Sequence, residues 1–168
     1  MQTKDDFASD WQQEEDTQEG KYLNFSMEKE DYGIEIRHVR EIIGIQKITE
    51  IPDMPDYIRG VINLRGKVIP VMDVRTRFRM PTRDYDNRTC IIVVQIEGKS
   101  MGLLVDKVKE VVDISGDQIE PPPSTNQANA SLYLRGLGKI GSEVKILLDV
   151  HRLIGQSDPI PEASAAAC

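Results

Sequence analysis

The side chains that most often carry out chemistry are few and scattered in this sequence. The two histidines, His38 and His151, lie in separate charged turns, which predicts isolated surface residues. The sequence has no metal-ligand spacing of Cys, His and Asp, no phosphate-binding glycine loop and no nucleophile elbow. The acidic pair Glu14 and Glu15 lies in a polar segment where burial would not tune a pKa. We therefore expect no enzymatic activity, no metal and no cofactor.

The distribution of charge separates a terminal segment from the rest of the chain. Residues 1–20 contain seven acidic residues and one basic residue, so they hold −6 of the net charge of −7. This composition predicts a disordered acidic leader, followed by a nearly neutral body that has no broad basic surface for nucleic acid. No apolar run reaches the roughly 18 residues that cross a bilayer, and no secretory signal is visible. We expect a cytoplasmic protein without direct membrane insertion.

The elements that must position any functional side chain are short. Apolar runs rich in Ile and Val alternate with turns that contain Gly, Pro and charged residues, which predicts an all-β small barrel or sandwich. Brief helical turns are expected only at VREI, DVRTRF and DVHRLI.

The two halves of the chain repeat each other. A shift of 69 residues aligns GIEIRHVREIIGI with GLLVDKVKEVVDI, and a shift of 76 aligns YIRGVINLRGKVIPVMDV with YLRGLGKIGSEVKILLDV. The shift increases by seven residues between the two alignments (76 − 69 = 7), which predicts a seven-residue insertion in the loop PPPSTNQANAS. We interpret the repeat as an internal duplication that yields two small barrels with a shared buried seam, joined by residues 78–89.

Four segments in this order resemble the CheW family of chemotaxis coupling proteins: YGIEIRHVREIIG, IRGVINLRGKVIPVMDVR, MGLLVDKVKEVV and YLRGLGKI. The resemblance covers about residues 21–155 and implies two SH3-like five-stranded β-barrels packed side by side. We expect the first barrel at about 21–80, the second at about 88–155 and a C-terminal tail at 156–168. The same module occurs in the kinase CheA and in CheV, and the free-standing coupling protein fits this chain length best.

The resemblance also implies partners. A groove between the barrels would receive the tip of methyl-accepting chemotaxis receptors, and the barrel surfaces would bind the regulatory domain of a CheA-type histidine kinase. Association with membrane receptor arrays would therefore be indirect. An apolar groove with glycines at its edge suits an amphipathic helical hairpin. Carried over to this sequence, the receptor-binding residues are Val39, Ile42, Ile43, Gly60, Val61, Gly102 and Val105.

Other interpretations of these residues remain open. The valines and isoleucines also suit a core, and the glycines also suit turns. Arg65 is more informative, since a tight turn between Asn63 and Gly66 does not require it. Its guanidinium suits a carboxylate, for which we favour Glu41, with an ordinary surface arginine as the alternative. The second half has no counterpart to Arg65. A further cluster, predicted to be a solvated charged face or a contact for an acidic partner, contains Arg75, Arg77, Arg79 and Arg83.

The predicted function is that of an adaptor that couples chemoreceptors to CheA. One alternative is the same role in a chemosensory pathway that does not control flagella, which the sequence does not distinguish. An alternative of another class is a nucleic-acid-binding small barrel. The near-neutral body and the absence of a basic stripe with interleaved aromatic residues argue against nucleic acid.

Overall fold

The computed structural model describes residues 19–122 and 132–155, and this part of the chain is built mainly from short strands. The prediction of an all-β fold is confirmed. In chain order the strands are β1 (Lys21–Met27), β2 (Glu30–Glu35), β3 (Val39–Gly44), β4 (Ile58–Leu64), β5 (Lys67–Asp73), β6 (Cys90–Ile96), β7 (Lys99–Val105), β8 (Lys107–Asp113), β9 (Ile119–Glu120), β10 (Leu134–Ile140) and β11 (Glu143–Leu148).

Helical structure in the described part of the chain is limited to short elements. The helices α1 (Val74–Arg77) and α2 (Val150–Gly155) follow β5 and β11, where DVRTRF and DVHRLI predicted them. The expected turn at VREI is instead the start of β3, preceded by a 3₁₀ turn at Ile36–His38. Alternate residues of β3 are half-buried, which is the period of a strand. Within the described residues, no helix has the length and apolar character needed to cross a bilayer.

Some predictions fall on residues that the structure does not describe. Most of the acidic leader lies in residues 1–18, most of the predicted insertion in 123–131, and the C-terminal tail in 156–168. The interpretations given above for these segments remain predictions.

The strands form two sheets, and each sheet draws strands from both halves of the chain. A five-stranded sheet has the order β3-β6-β7-β5-β4, and a six-stranded sheet has the order β8-β1-β2-β11-β10-β9. The expected contiguous barrels at about 21–80 and 88–155 are corrected accordingly. The reason is strand pairing: the β1–β2 hairpin bonds to β8 and β11, while the β6–β7 hairpin bonds to β3 and β5. We call the sheet of β3–β7 barrel one and the other sheet barrel two.

The duplication inferred from the sequence is visible in matching contacts. The amide of Asp73 donates to the carbonyl of Tyr57 at 2.7 Å, and the amide of Asp149 donates to the carbonyl of Tyr133 at the same distance. These four residues are paired by the 76-residue shift. The hairpin exchange is also reciprocal, since β1 pairs with β8 as β6 pairs with β3. The two barrels are thus related by a pseudo-twofold operation.

The largest buried cluster lies between the barrels, and we call it the seam core. Strand β6 shows why: Ile92 and Val94 point into the seam core, whereas Ile91 and Val93 point into barrel one. A strand buried on both faces needs a continuous apolar run, which explains the sequence CIIVVQI. The buried members of the seam core are Leu23, Phe25, Met27, Tyr32, Ile34, Met72, Val74, Phe78, Ile92, Val94, Ile96, Leu103, Val105, Tyr133, Leu148, Val150 and Leu153.

Barrel one is closed by a short backbone bridge. The amide of Thr49 donates to the carbonyl of Val61 at 2.8 Å, and the amide of Val61 donates back at 2.9 Å, so the chain that leaves β3 returns to β4. Gly60 lies directly beneath this bridge with φ of +148°, and a Cβ there would lie 2.1 Å from the Thr49 carbonyl oxygen. Only glycine fits this position without moving the bridge.

We predict that Gly60→Ala lowers the free energy of unfolding by more than about 2 kcal/mol, because the new Cβ strains the backbone and opens the bridge. Gly44→Ala is the matched control, since a Cβ at Gly44 meets no atom within 4 Å. Its effect should stay within about 0.5 kcal/mol. Urea unfolding followed by circular dichroism measures both variants. Equal stability of the two would show that the bridge does not depend on Gly60.

Candidate functional site

The first group of expected receptor-binding residues lies on β3, next to the closing bridge of barrel one. Val39 is half-buried against the seam core, and Ile43 is half-buried against the interior of barrel one. Ile42 points outward and is 42% exposed. Val61 on β4 is also half-buried. These four residues therefore present apolar surface that a partner can reach.

The remaining three residues are interior. Gly60 is covered by Thr49, as described above. Gly102 is buried on β7, and a Cβ there would lie 2.7 Å from a methyl carbon of Ile91. Val105 is buried in the seam core. A carboxylate at Gly60 or Gly102 would therefore damage the fold itself, so neither position separates receptor binding from folding.

Exposed apolar side chains extend the surface beyond β3. The segment between β3 and β4 carries Ile45, Ile51 and Met54, each about as exposed as Ile42. Isolated exposed apolar residues are common, but this segment follows directly on the β3 residues above. These three residues are not among the receptor-binding residues expected from the sequence. The available signal was a series of large apolar residues in a loop punctuated by Pro and Asp.

The β4–β5 turn carries the most informative polar residue. Arg65 donates from Nη2 to Oε2 of Glu41, so the structure contains the ion pair favoured from the sequence. The turn is the expected tight connection, in which the Asn63 Oδ1 accepts from the Gly66 amide at 2.8 Å. The Arg65 side chain is 70% exposed, and the hydrogen bond to Glu41 raises the pKa of its guanidinium.

The backbone at Arg65 adds a second observation. Arg65 has φ of +52°, in the left-handed region that residues other than Gly and Asn rarely adopt. Gly141, its equivalent in barrel two, has φ of +60°. Glycine would therefore serve this turn equally well, and the arginine side chain is not required by the fold.

Two of the clustered arginines are buried, which contradicts the prediction of a solvated face for them. Arg75 donates from Nε and Nη2 to the two carboxylate oxygens of Asp106, at 2.8 and 2.7 Å. It also donates to Glu28 and to the Pro81 carbonyl. Burial favours a raised pKa for Asp106, but the hydrogen bonds and positive charge of Arg75, together with the Glu28 amide and the charge of Arg83, outweigh it and hold that pKa below its ordinary value. Arg75 thus ties α1 to the turn after β1 and to the start of β8.

Arg77 makes a different buried contact. Its guanidinium carbon lies 4.0 Å from the ring centroid of Tyr57 and 4.8 Å from that of Tyr133. Since these tyrosines are equivalent residues next to β4 and β10, Arg77 bridges the two barrels by cation–π contacts. Arg79 and Arg83 are exposed, as predicted. The sequence could not separate the buried from the exposed arginines because all four lie within the same nine-residue stretch, residues 75–83.

The histidines are not isolated. Their rings meet edge to face with centroids 5.4 Å apart, and Nε2 of His38 lies 3.3 Å from a carboxylate oxygen of Glu35. His38 is largely buried, whereas His151 is exposed. Burial lowers the pKa of His38 below its ordinary value, and Glu35 opposes that shift only in part. The sequence placed His38 and His151 far apart, and only the packing of α2 against the 3₁₀ turn brings them together.

The interchanged hairpins and the shared seam core define a domain of two small β-barrels built from a duplicated sequence. This chain belongs to the CheW-like domain family, whose family model matches residues 21–158. It is 37% identical over 138 residues to "Chemotaxis protein CheW" of Klebsiella aerogenes, covering 82% of this chain and 83% of that protein. The protein of the same name from Helicobacter pylori is 30% identical over 148 residues, with coverage of 88% and 89%.

A solved structure supports the same assignment. The crystal structure of "scaffolding protein TtCheW" from Thermoanaerobacter tengcongensis matches with a TM-score of 0.75 and 39% identity. The match covers 80% of this chain and 91% of that one. The resemblance stated from the sequence motifs is therefore confirmed.

The Arg75–Asp106 pair allows the stability contribution of a buried ion pair to be compared with that of an exposed one. We predict that Asp106→Asn lowers the free energy of unfolding by about 3 kcal/mol, because the buried Arg75 guanidinium loses the carboxylate that accepts two of its hydrogen bonds and keeps only the half-exposed Glu28 as an ion-pair partner. Asp113→Asn is the control: Asp113 accepts from Lys21 at 2.7 Å, but its side chain is 78% exposed against 11% for Asp106. This control should lose less than about 1 kcal/mol. Urea unfolding at pH 7 measures both, and similar losses would contradict the prediction.

The same pair predicts a pH dependence. Because the folded pKa of Asp106 lies below its ordinary value, the pair stabilises the fold fully above about pH 4 and loses this effect as the pH falls further. The free energy of unfolding of the wild type should therefore decrease more steeply below pH 4 than that of Asp106→Asn. If the free energies of unfolding of the wild type and of Asp106→Asn decrease in parallel as the pH falls, Asp106 does not contribute to the acid sensitivity.

Proposed function

We propose that this chain is a chemotaxis adaptor that binds the tip of methyl-accepting chemoreceptors and the regulatory domain of a CheA-type histidine kinase. It couples the two without covalently altering either, in the cytoplasm beneath the receptor array. Membership of the CheW-like family and the names of the relatives support the proposal. The observation that supports it best concerns Arg65. This residue lies in a left-handed turn where the fold does not require an arginine, and its side chain is exposed.

The surfaces assigned to the two partners differ. The receptor hairpin would contact Val39, Ile42, Ile43 and Val61, where apolar surface borders the Glu41–Arg65 pair. An amphipathic helix binds such a surface through its apolar face. The kinase domain, which resembles this chain, would bind other surfaces of the barrels in a pseudo-symmetric manner. An interface of about 1,200–2,000 Å² in total suits an exchangeable complex of this kind.

Calorimetry with purified partners tests the proposal. The probes are a cytoplasmic hairpin fragment of a chemoreceptor and the regulatory domain of CheA, both from the organism that encodes this chain. We expect each to bind in the micromolar range and both to bind at once. Failure of both to bind at high micromolar concentration would refute the adaptor role.

A carboxylate at Ile42 should block the receptor alone. We predict that Ile42→Asp weakens receptor binding by at least about ten-fold, because the contact would bury an unpaired charge. The fold should survive, since this side chain is 42% exposed. Val111→Asp is the matched control, at the equivalent position of barrel two and 46% exposed. If Val111→Asp weakens receptor binding as strongly, the receptor surface does not lie on β3.

The Glu41–Arg65 pair should matter more to assembly than to stability, because both charges border solvent. Arg65→Glu should leave the unfolding midpoint nearly unchanged and weaken assembly of the receptor–kinase complex. The exchange of both residues, Glu41→Arg with Arg65→Glu, should restore part of that assembly if the pair acts through its own geometry. A double-mutant cycle on the dissociation constants measures the coupling. If the fold-changes in dissociation constant of the two single variants multiply to give that of the double variant, Arg65 contacts the partner directly and the pair is incidental.

A further inference from the structure

The end of barrel one that carries the β4–β5 turn is open. A cleft of about 290 Å³ lies there, and we call it the mouth of barrel one. Its floor is apolar and consists of Leu64, Ile69 and Val93, all buried members of the interior of barrel one. Its rim is basic and carries Arg40, Arg65 and Lys67.

The rim has an excess of positive charge. Among the residues that the structure describes, Glu41 is the only carboxylate that lines the mouth, and Arg65 already binds it. Within the described part of the chain, Lys67 forms a single hydrogen bond, to the hydroxyl of Ser100 at 3.4 Å, and Arg40 forms no ion pair. Cations around a low-dielectric floor attract an anion more strongly than cations on a flat surface do. The mouth thus suits a group that is acidic at its rim and apolar at its centre.

Barrel two shows that the fold does not require such a mouth. At the position of Ile69 it has Lys145, which is buried and donates to Asp31 at 2.7 Å. Lys109 donates to the same carboxylate at 2.9 Å, and Glu143 binds Lys145 at 3.0 Å. Burial raises the pKa of Asp31, but the two lysines outweigh it and hold that pKa below its ordinary value. The equivalent positions in barrel two therefore neutralise one another, whereas those of barrel one leave cations available.

The mouth is continuous with the surface assigned to the receptor. Arg40 and Glu41 lie on β3 between Val39 and Ile42, so one strand carries both the apolar contact and the rim. A partner that covers Ile42 therefore also reaches the rim. A partner bound only to barrel two would not.

We infer that the mouth of barrel one binds a carboxylate side chain, next to an apolar side chain, on the tip of the same receptor hairpin. This inference rests on the proposed function and adds to it an electrostatic contact that selects receptors with an acidic tip. The carboxylate would lie between Arg40 and Lys67, and the apolar side chain would cover Leu64 and Val93. Complementary charge at an interface rim acts mainly on specificity and on salt dependence.

The test removes the rim charges without changing the floor. Arg40→Gln with Lys67→Gln should weaken binding of the receptor hairpin by about ten-fold at low salt and should flatten the dependence of affinity on sodium chloride. The matched control, Lys29→Gln with Lys107→Gln, removes the same charge from exposed residues that form no ion pair within the described part of the chain. It should change affinity less than about two-fold.

A second arm changes the partner. A receptor hairpin whose tip carboxylates are replaced by amides should bind the wild type about as weakly as the normal hairpin binds the double variant. The two changes combined should add no further loss, because they remove the same contact.

The outcomes separate the two proposals. No binding of the wild type to either partner refutes the adaptor role and this inference with it. Normal binding of the receptor by the wild type and by the double variant alike refutes the mouth as a receptor contact and leaves the adaptor role intact. Loss of binding to the kinase domain alone would assign the mouth to the kinase and overturn the inference. Equal urea midpoints of wild type and variants exclude a folding effect.

Discussion

The seam core is the constraint on which the rest of the structure depends. Each barrel is too small to bury enough apolar surface by itself. Among the described residues, the interior cluster of barrel two has only three buried members, Tyr22, Ile114 and Leu147. The cluster between the barrels supplies the missing burial. The exchange of the β1–β2 and β6–β7 hairpins between the barrels follows from this shared burial. The strands of each hairpin contribute side chains both to the seam core and to the interior of a barrel. We therefore regard the two barrels as one folding unit.

Buried arginines secure the seam at its edges, and their partners come from distant parts of the chain. Arg75 binds Asp106 and Glu28, and Arg77 lies between the rings of Tyr57 and Tyr133. A buried charge must be paired, so these contacts fix how α1 sits against both barrels. Arg65 also binds a carboxylate, yet its side chain faces solvent and the fold can do without it. Similar chemistry thus serves stability at Arg75, whereas at Arg65 we propose that it serves recognition.

Departures from the internal symmetry show where the two barrels differ, and they support the role proposed for barrel one. The pseudo-twofold relation holds at the residues that build the barrels, such as Asp73 with Asp149 and their tyrosine partners. It fails at Arg65, which corresponds to Gly141, and at Ile69, which corresponds to Lys145. A requirement of the fold would apply to both copies. A difference between two copies that share one fold therefore indicates a function carried by only one of them.

The sequence by itself determined the strands, the duplication, the tight NLRG turn and the preference of Arg65 for Glu41, because each depends on local periodicity, turn chemistry or charge. Only the tertiary structure decided which hairpin joins which barrel, and it reassigned Gly60, Gly102 and Val105 to the interior. It also buried Arg75 and brought His38 to His151. Alternation along a strand shows that one face is buried but does not identify what covers that face. Likewise, the sequence around Arg75 does not reveal that its carboxylate partner, Asp106, lies 31 residues further along the chain. Those questions are settled by long-range pairing, because hydrogen bonds between strands and contacts across the seam join residues whose separation in sequence carries no signal.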